Sequence, residues 1–142
     1  MLEYLLMRNY YLDHMLSIEW SAEKGWHAPQ IVPYQNLSLD PSACVLHYAF
    51  ECFEGMKAYK DDNGQVRLFR PNKNMERLNK SSSRIALPTV DGEALTKLIG
   101  EFVKLESRFI PKSVGTFAHG LRIFLANLST ATGDTHYTFA LP

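Results

Sequence analysis

Two alternating segments, residues 55–60 and 65–70, stand on either side of Asp61-Asp62-Asn63-Gly64, and this arrangement restricts the fold more than any other. Asn-Gly supplies the positive φ values that a tight turn needs, so the two segments should close as an antiparallel hairpin. Met56 and Ala58, with Tyr59 a further candidate, alternate with Lys57 and Lys60, and Val66 and Leu68 alternate with Arg67 and Phe69. One face of the hairpin is therefore apolar and must be covered. Pro71 ends the second strand and can open a helix. Along it Met75, Leu78 and Ile85 form an apolar stripe, with Arg77, Ser81 and Arg84 on a neighbouring polar face; Pro88 stops it. Asp91 is a good N-cap for the next helix, with Glu93 in its first turn. Leu95, Leu98, Ile99, Phe102 and Leu105 define that helix's buried face, and Pro111 ends it. Upstream, residues 16–20 alternate as a strand. Residues 31–39 are extended, but Pro29 and Pro33 limit their ladder donors, which predicts an edge or irregular position. The order predicts an α+β fold: an antiparallel sheet with helices packed on one side.

Composition narrows the function classes. The chain has 142 residues, 46% of them hydrophobic, which suits one globular domain. Lys+Arg and Asp+Glu are both 15, so no basic excess points to nucleic acid or to a membrane surface. Cys44 and Cys52 form no CxxC pair and are expected as reduced, buried thiols. The histidines at 14, 27, 47, 119 and 136 have no zinc-ligand spacing, so no metal site is expected. Residues 1–6 are apolar but lack a basic flank and a cleavage site, so no secretory leader is expected. No apolar run approaches the ~20 residues of a membrane span. A cytoplasmic location is expected.

Three groups carry possible chemistry. Glu54-Gly55 heads the hairpin, and Arg77 lies on the helix after it. A guanidinium presents a planar fork that matches a phosphate. The plainer alternative is a solvated arginine paired with Glu76 or Asp91. Tyr48, in the apolar-aromatic segment 46–53, offers ring surface and one hydroxyl to a substrate pocket; the alternative is a core tyrosine. Lys57, within an alternating strand, suits a solvated or phosphate-neighbouring role better than a covalent one. Neither GxSxG nor a glycine-rich phosphate loop is present.

At these residues the sequence resembles a known family. Asp13-His14-Met15-Leu16, Glu19-Trp20, Gly25-Trp26, Pro33-Tyr34-Gln35-Asn36-Leu37-Ser38-Leu39, Leu46-His47-Tyr48-Ala49, Phe53-Glu54-Gly55-Met56-Lys57-Ala58, Arg67-Leu68-Phe69-Arg70-Pro71 and Asn74-Met75-Glu76-Arg77 all look like branched-chain amino-acid aminotransferases, the eukaryotic form in particular. The match runs in order from about Asp13 to about Lys112. It implies the small N-terminal domain of a fold-type IV pyridoxal-phosphate enzyme, with residues 13–112 as that domain. By the resemblance Arg77 holds the phosphate of pyridoxal 5'-phosphate, and Tyr48 lines the substrate side-chain pocket. The family transaminates leucine, isoleucine and valine, with 2-oxoglutarate and glutamate as the other pair, and works as a homodimer on small-molecule substrates. A mitochondrial location is the alternative for a complete enzyme. The family's Schiff-base lysine lies in the C-terminal domain, and no lysine here matches it. No catalytic residue is therefore expected in this chain, and weak or absent cofactor binding is. Two alternatives are another fold-type IV enzyme and a non-enzymatic short form that pairs with the complete enzyme.

Residues 1–12 and 113–142 fall outside the resemblance and are expected to be irregular or poorly packed. The family continues with a strand reading Ser-Leu-Tyr-Ile-Arg-Pro-Thr. Permitted codons for Thr135-His136-Tyr137-Thr138-Phe139-Ala140-Leu141-Pro142 spell that strand when read in a shifted frame. Residues 113–142 are accordingly expected to come largely from a retained intron and then an exon in the wrong frame, which splice signals in the genomic DNA would reveal; the alternative is a divergent tail that packs on the sheet.

Overall fold

A computed structural model describes residues 12–110, 119–130 and 136–141. The elements follow the chain as β1 (His14–Ser21), β2 (Gly25–Trp26), β3 (Gln30–Pro33), α1 (Cys44–Tyr48), β4 (Glu51–Lys60), β5 (Val66–Leu68), α2 (Pro71–Arg84), α3 (Gly92–Leu105), a 3-10 turn (Ser107–Phe109), β6 (His119–Asn127) and β7 (His136–Leu141). One sheet holds all seven strands in the order β2-β1-β7-β6-β4-β5, and β3 pairs with β1 beside β2. Every pairing is antiparallel. The α+β architecture expected from the sequence is what forms.

The hairpin closes in the expected place, with Ala58 opposite Leu68 and Lys60 opposite Val66. Its turn differs in detail from an Asn-Gly pair at two positive φ values. Only Gly64 is left-handed, with φ 80°. The Asp61 carboxylate organises the loop by accepting from the backbone N–H of Asn63 and Gln65. Residues 31–39 are shorter as a strand than their extended character predicted. β3 stops at Pro33 and forms an outer strand, as a proline-limited segment must.

Helices α2 and α3 cover one face. Met75 and Leu78 of α2 meet Leu95, Ile99, Phe102 and Val103 of α3 over Leu16 and Ile18 of β1 and Met56 and Ala58 of β4. Asp91 caps α3 as predicted, accepting from Glu93 N and Ala94 N at 2.9 and 3.0 Å. The α3 face is rotated slightly from the expected one. Val103 is buried, while Leu105 is 53% exposed, because a step of about 100° per residue carries position 105 off a stripe centred on 95, 99 and 102. Asn79 fixes the turn between the helices by exchanging two hydrogen bonds with the backbone of Val90, each 2.9 Å. At the far end of α3 the buried Glu106 accepts from Asp13 N and contacts His14 Nδ1 at 2.6 Å, so the start of β1 is tied to the helix.

The expectation for residues 113–142 needs correction. Their described part is regular and central: β6 runs beside β4 from Glu51↔Ala126 to Ala58↔His119, and β7 lies between β6 and β1. Leu121, Ile123 and Leu125 alternate inward and complete the core under the helices. Three apolar side chains at period two satisfy the same face that Met56 and Ala58 present, and the unpaired edge of β4 supplies the backbone partners. Of residues 1–12 only Leu12 is described, and it is buried in the core rather than poorly packed; the rest of that expectation lies outside the described residues.

Candidate phosphate-binding site

The site forms where β4 passes beneath the first turns of α2. Strand alternation sends Met56 and Ala58 into the core, while Phe53, Lys57 and Tyr59 face the other way and are exposed. Glu54 shares the inward face yet does not enter the apolar core. Its carboxylate meets α2, which begins abruptly because Arg70, in the left-handed region at φ 48°, turns the chain and Pro71 presets the first helical residue.

Arg77 lies two turns into α2 and bonds Glu54 through two nitrogens: Nε to Oε2 at 2.9 Å and Nη2 to Oε1 at 2.7 Å. Asn74, one turn earlier and buried, donates from Nδ2 to Glu54 Oε1 at 3.1 Å and to the Gly55 carbonyl at 2.8 Å. The two side chains join strand to helix. Glu54 is almost covered, whereas the Arg77 side chain keeps 60% of its surface. The carboxylate raises the Arg77 pKa, chiefly by hydrogen bonding and then by charge, so the guanidinium stays cationic. The sequence placed Glu54 and Arg77 together without their contact. The plainer pairings of Arg77 with Glu76 or Asp91 do not form: Glu76 binds Lys73 and Asp91 caps α3. Asn74 is the participant that sequence reasoning missed. Its signal was a lone amide on the buried side of an amphipathic helix, one turn before Arg77.

A cavity of about 530 Å³ opens beside this pair, lined among others by Gly55, Lys57, Arg70, Lys73 and Arg77. A Cβ built on Gly55 would meet nothing within 4 Å, so the backbone there borders open space. Lys57, Arg70, Lys73 and Arg77 outnumber the one lining acid, Glu76, so the cavity beside this bare backbone position suits an anion such as a phosphate group.

Tyr48 is not brought to that cavity. It ends α1, 71% exposed, its ring 6.4 Å from His47 and 6.1 Å from Phe50. It is a surface aromatic rather than a core tyrosine. Ala49, left-handed at φ 52°, terminates α1 and turns the chain into β4. Tyr48 pairs with Phe50, 41% exposed, just before β4, and Phe53, 68% exposed, follows on β4 itself. Cys44 and Cys52 are free and half-buried. Among the described residues no cluster of His, Cys, Asp and Glu could hold a metal ion, and no helix is long and apolar enough to cross a membrane.

No family model matches the chain. Comparison with known proteins first gives a class. The fold is similar to that of the branched-chain amino acid aminotransferase of Escherichia coli, with a TM-score of 0.63 at 15% identity over 93% of this chain and 40% of that one. It is also similar to the branched-chain aminotransferase of Thermoproteus uzoniensis, solved with norvaline, with a TM-score of 0.57 at 23% identity over 89% of this chain and 40% of that one. A further structure of the same fold is a branched-chain amino acid aminotransferase complexed with N-(5'-phosphopyridoxyl)-L-glutamate, with a TM-score of 0.57 at 18% identity over 87% of this chain and 39% of that one. These likenesses show the fold: a small α+β domain like the corresponding part of those aminotransferases. Sequence comparison then gives curated relatives. The cytosolic branched-chain-amino-acid aminotransferase of Saccharomyces cerevisiae is 56% identical over 105 residues, which is 74% of this chain and 28% of the relative. The mitochondrial enzyme of Bos taurus is 42% identical over 137 residues, 96% of this chain and 35% of the relative, and that match reaches into both ends of the chain. The chain is a homologue of the branched-chain-amino-acid aminotransferases, and it spans about 28 to 35% of the length of these two relatives.

Proposed function

We propose that this chain supplies the phosphate-gripping small domain, residues 13–112 together with the strands β6 and β7 that complete its sheet, of a branched-chain-amino-acid transaminase acting on leucine, isoleucine and valine with 2-oxoglutarate, and that alone it does not transaminate. The observation that carries the proposal is the guanidinium of Arg77, held by a buried carboxylate at the edge of an open, cation-lined cavity. Pyridoxal phosphate, when bound, supplies the electron sink for amino transfer. Arg77 offers the fork edge not used by Glu54 to its phosphate. Gly55 leaves room for the ring. Tyr48, with its apolar ring and one hydroxyl, forms a wall for an aliphatic substrate side chain, which Phe50 and Phe53 extend. None of the lysines at the cavity is enclosed as a covalent anchor should be: Lys73 is paired with Glu76 at the surface, and Lys57 lies on the exposed face of β4. The complete enzyme is a homodimer, cytoplasmic or mitochondrial, with small-molecule substrates.

The test is substitution in the complete transaminase containing these residues. Arg77→Ala should weaken pyridoxal-phosphate binding roughly tenfold or more, because a charge-assisted pair is lost. Tyr48→Ala should raise KM for leucine with cofactor affinity unchanged. Cofactor affinity that ignores Arg77→Ala would remove the proposal.

A further inference from the structure

We infer that Glu54 is the positioning residue of this site: it orders Arg77 before an anion arrives, and Asn74 orders Glu54. The inference rests on the phosphate reading of Arg77. An acid beside an anion site is electrostatically adverse, since its charge opposes the ligand's. Its presence therefore needs a reason, and the geometry gives one. Glu54 Oε1 accepts from Gly55 N at 3.0 Å, Asn74 Nδ2 at 3.1 Å and Arg77 Nη2 at 2.7 Å, while Oε2 accepts from Arg77 Nε at 2.9 Å. The carboxylate is held from strand and helix together, next to the fully buried Ile123 across the β4–β6 ladder. Arginine is a rotamer-rich side chain, and ordering one upon binding costs affinity. Here two nitrogens are already fixed on Glu54, and the remaining Nη1 edge is left for a ligand although most of the side chain is exposed. Asn74 bonds both the carboxylate and the Gly55 carbonyl, so the backbone that borders the cavity and the guanidinium share one frame.

Charge and positioning predict opposite signs, which makes the inference testable. Glu54→Gln removes a negative charge at nearly constant volume. If Glu54 acted only through its charge, anion binding would tighten. If Glu54 positions Arg77, binding weakens. The 142-residue chain is titrated with inorganic phosphate while the Arg77 side-chain N–H resonance is followed by NMR. The expected result is a saturable shift in the wild type, an affinity roughly fivefold or more weaker in Glu54→Gln, and a smaller loss of about twofold in Asn74→Ala, which keeps the ion pair if Glu54→Gln does not fold. In an Arg77→Lys background Glu54→Gln should cause no further loss, because Glu54 acts through the fork. Equal or tighter binding in Glu54→Gln, or in Asn74→Ala where that variant is the one that folds, overturns the inference, as does an additive loss in the Arg77→Lys background; the phosphate reading stands in each case. No saturable shift at Arg77 in the wild type overturns the phosphate reading itself.

Discussion

Ile123→Ala probes whether β6 is a core strand or a loosely attached tail. Ile123 is fully buried, lies opposite Glu54 of β4, and sits between Leu121 and Leu125 under α2 and α3. The substitution deletes three carbons. At about 0.8 kcal/mol per buried methylene the transfer part is about 2.4 kcal/mol. The close-packed helices above cannot collapse fully into the space, so a cavity contribution brings the expected loss to about 3–4 kcal/mol. For a domain of this size that lowers Tm by about 10 °C. Urea unfolding followed by the fluorescence of Trp20 and Trp26 gives the free energy, and thermal circular dichroism gives Tm. Arg122→Ala, in the same strand but exposed, is the control and should stay within about 0.5 kcal/mol of wild type. If Ile123→Ala also falls within that margin, β6 does not complete the core, and the irregular tail expected from sequence is the better description.

Other predictions concern single interactions. Asp91→Ala removes the acceptor for two backbone donors at the start of α3 and should cost about 1 kcal/mol in urea unfolding, with Asp91→Asn close to wild type. Burial pushes the Cys52 thiol up, Glu51 adds to this, and the Ser82 contact opposes it. Iodoacetamide should therefore modify Cys52 more slowly than an exposed thiol near neutral pH and accelerate only above the ordinary thiol range. The sign for stability follows. The folded chain holds the thiol proton more tightly than the unfolded chain, so this contribution is whole below the ordinary thiol pKa and is lost as pH rises through the raised one. The urea midpoint should fall on the alkaline side in the wild type and fall less in Cys52→Ala; equal slopes would contradict the assignment.

What the sequence made legible was periodic. The hairpin about Gly64, the α2 stripe of Met75 and Leu78, and the Asp91 cap each follow from local spacing, and each stands where expected. The Glu54–Arg77 pair was visible as two residues brought near by a strand-turn-helix connection, but the bidentate contact and the role of Asn74 depend on how far α2 leans over β4, a tertiary quantity. Strand β6 was missed for a physical reason. Leu121, Ile123 and Leu125 do alternate, but Phe124 and Ala126 on the opposite side are apolar as well, and Gly120 precedes them, so the period is masked. Its buried status comes from β4, which offers an edge and an apolar face at long sequence separation. Tyr48 illustrates the converse. An apolar-aromatic run reads as core, yet α1 is too short to bury its last residue, and the left-handed Ala49 turns the chain away.

The central claim is that these residues provide a phosphate grip without a catalytic amine. It is tested by incubating the purified chain with pyridoxal phosphate, treating with borohydride, and mapping modified lysines by mass spectrometry, alongside an assay of glutamate formation from leucine and 2-oxoglutarate. The account predicts no stoichiometric modification of any one lysine and no glutamate above the protein-free rate. Stoichiometric attachment at one lysine together with leucine-dependent glutamate formation would contradict it.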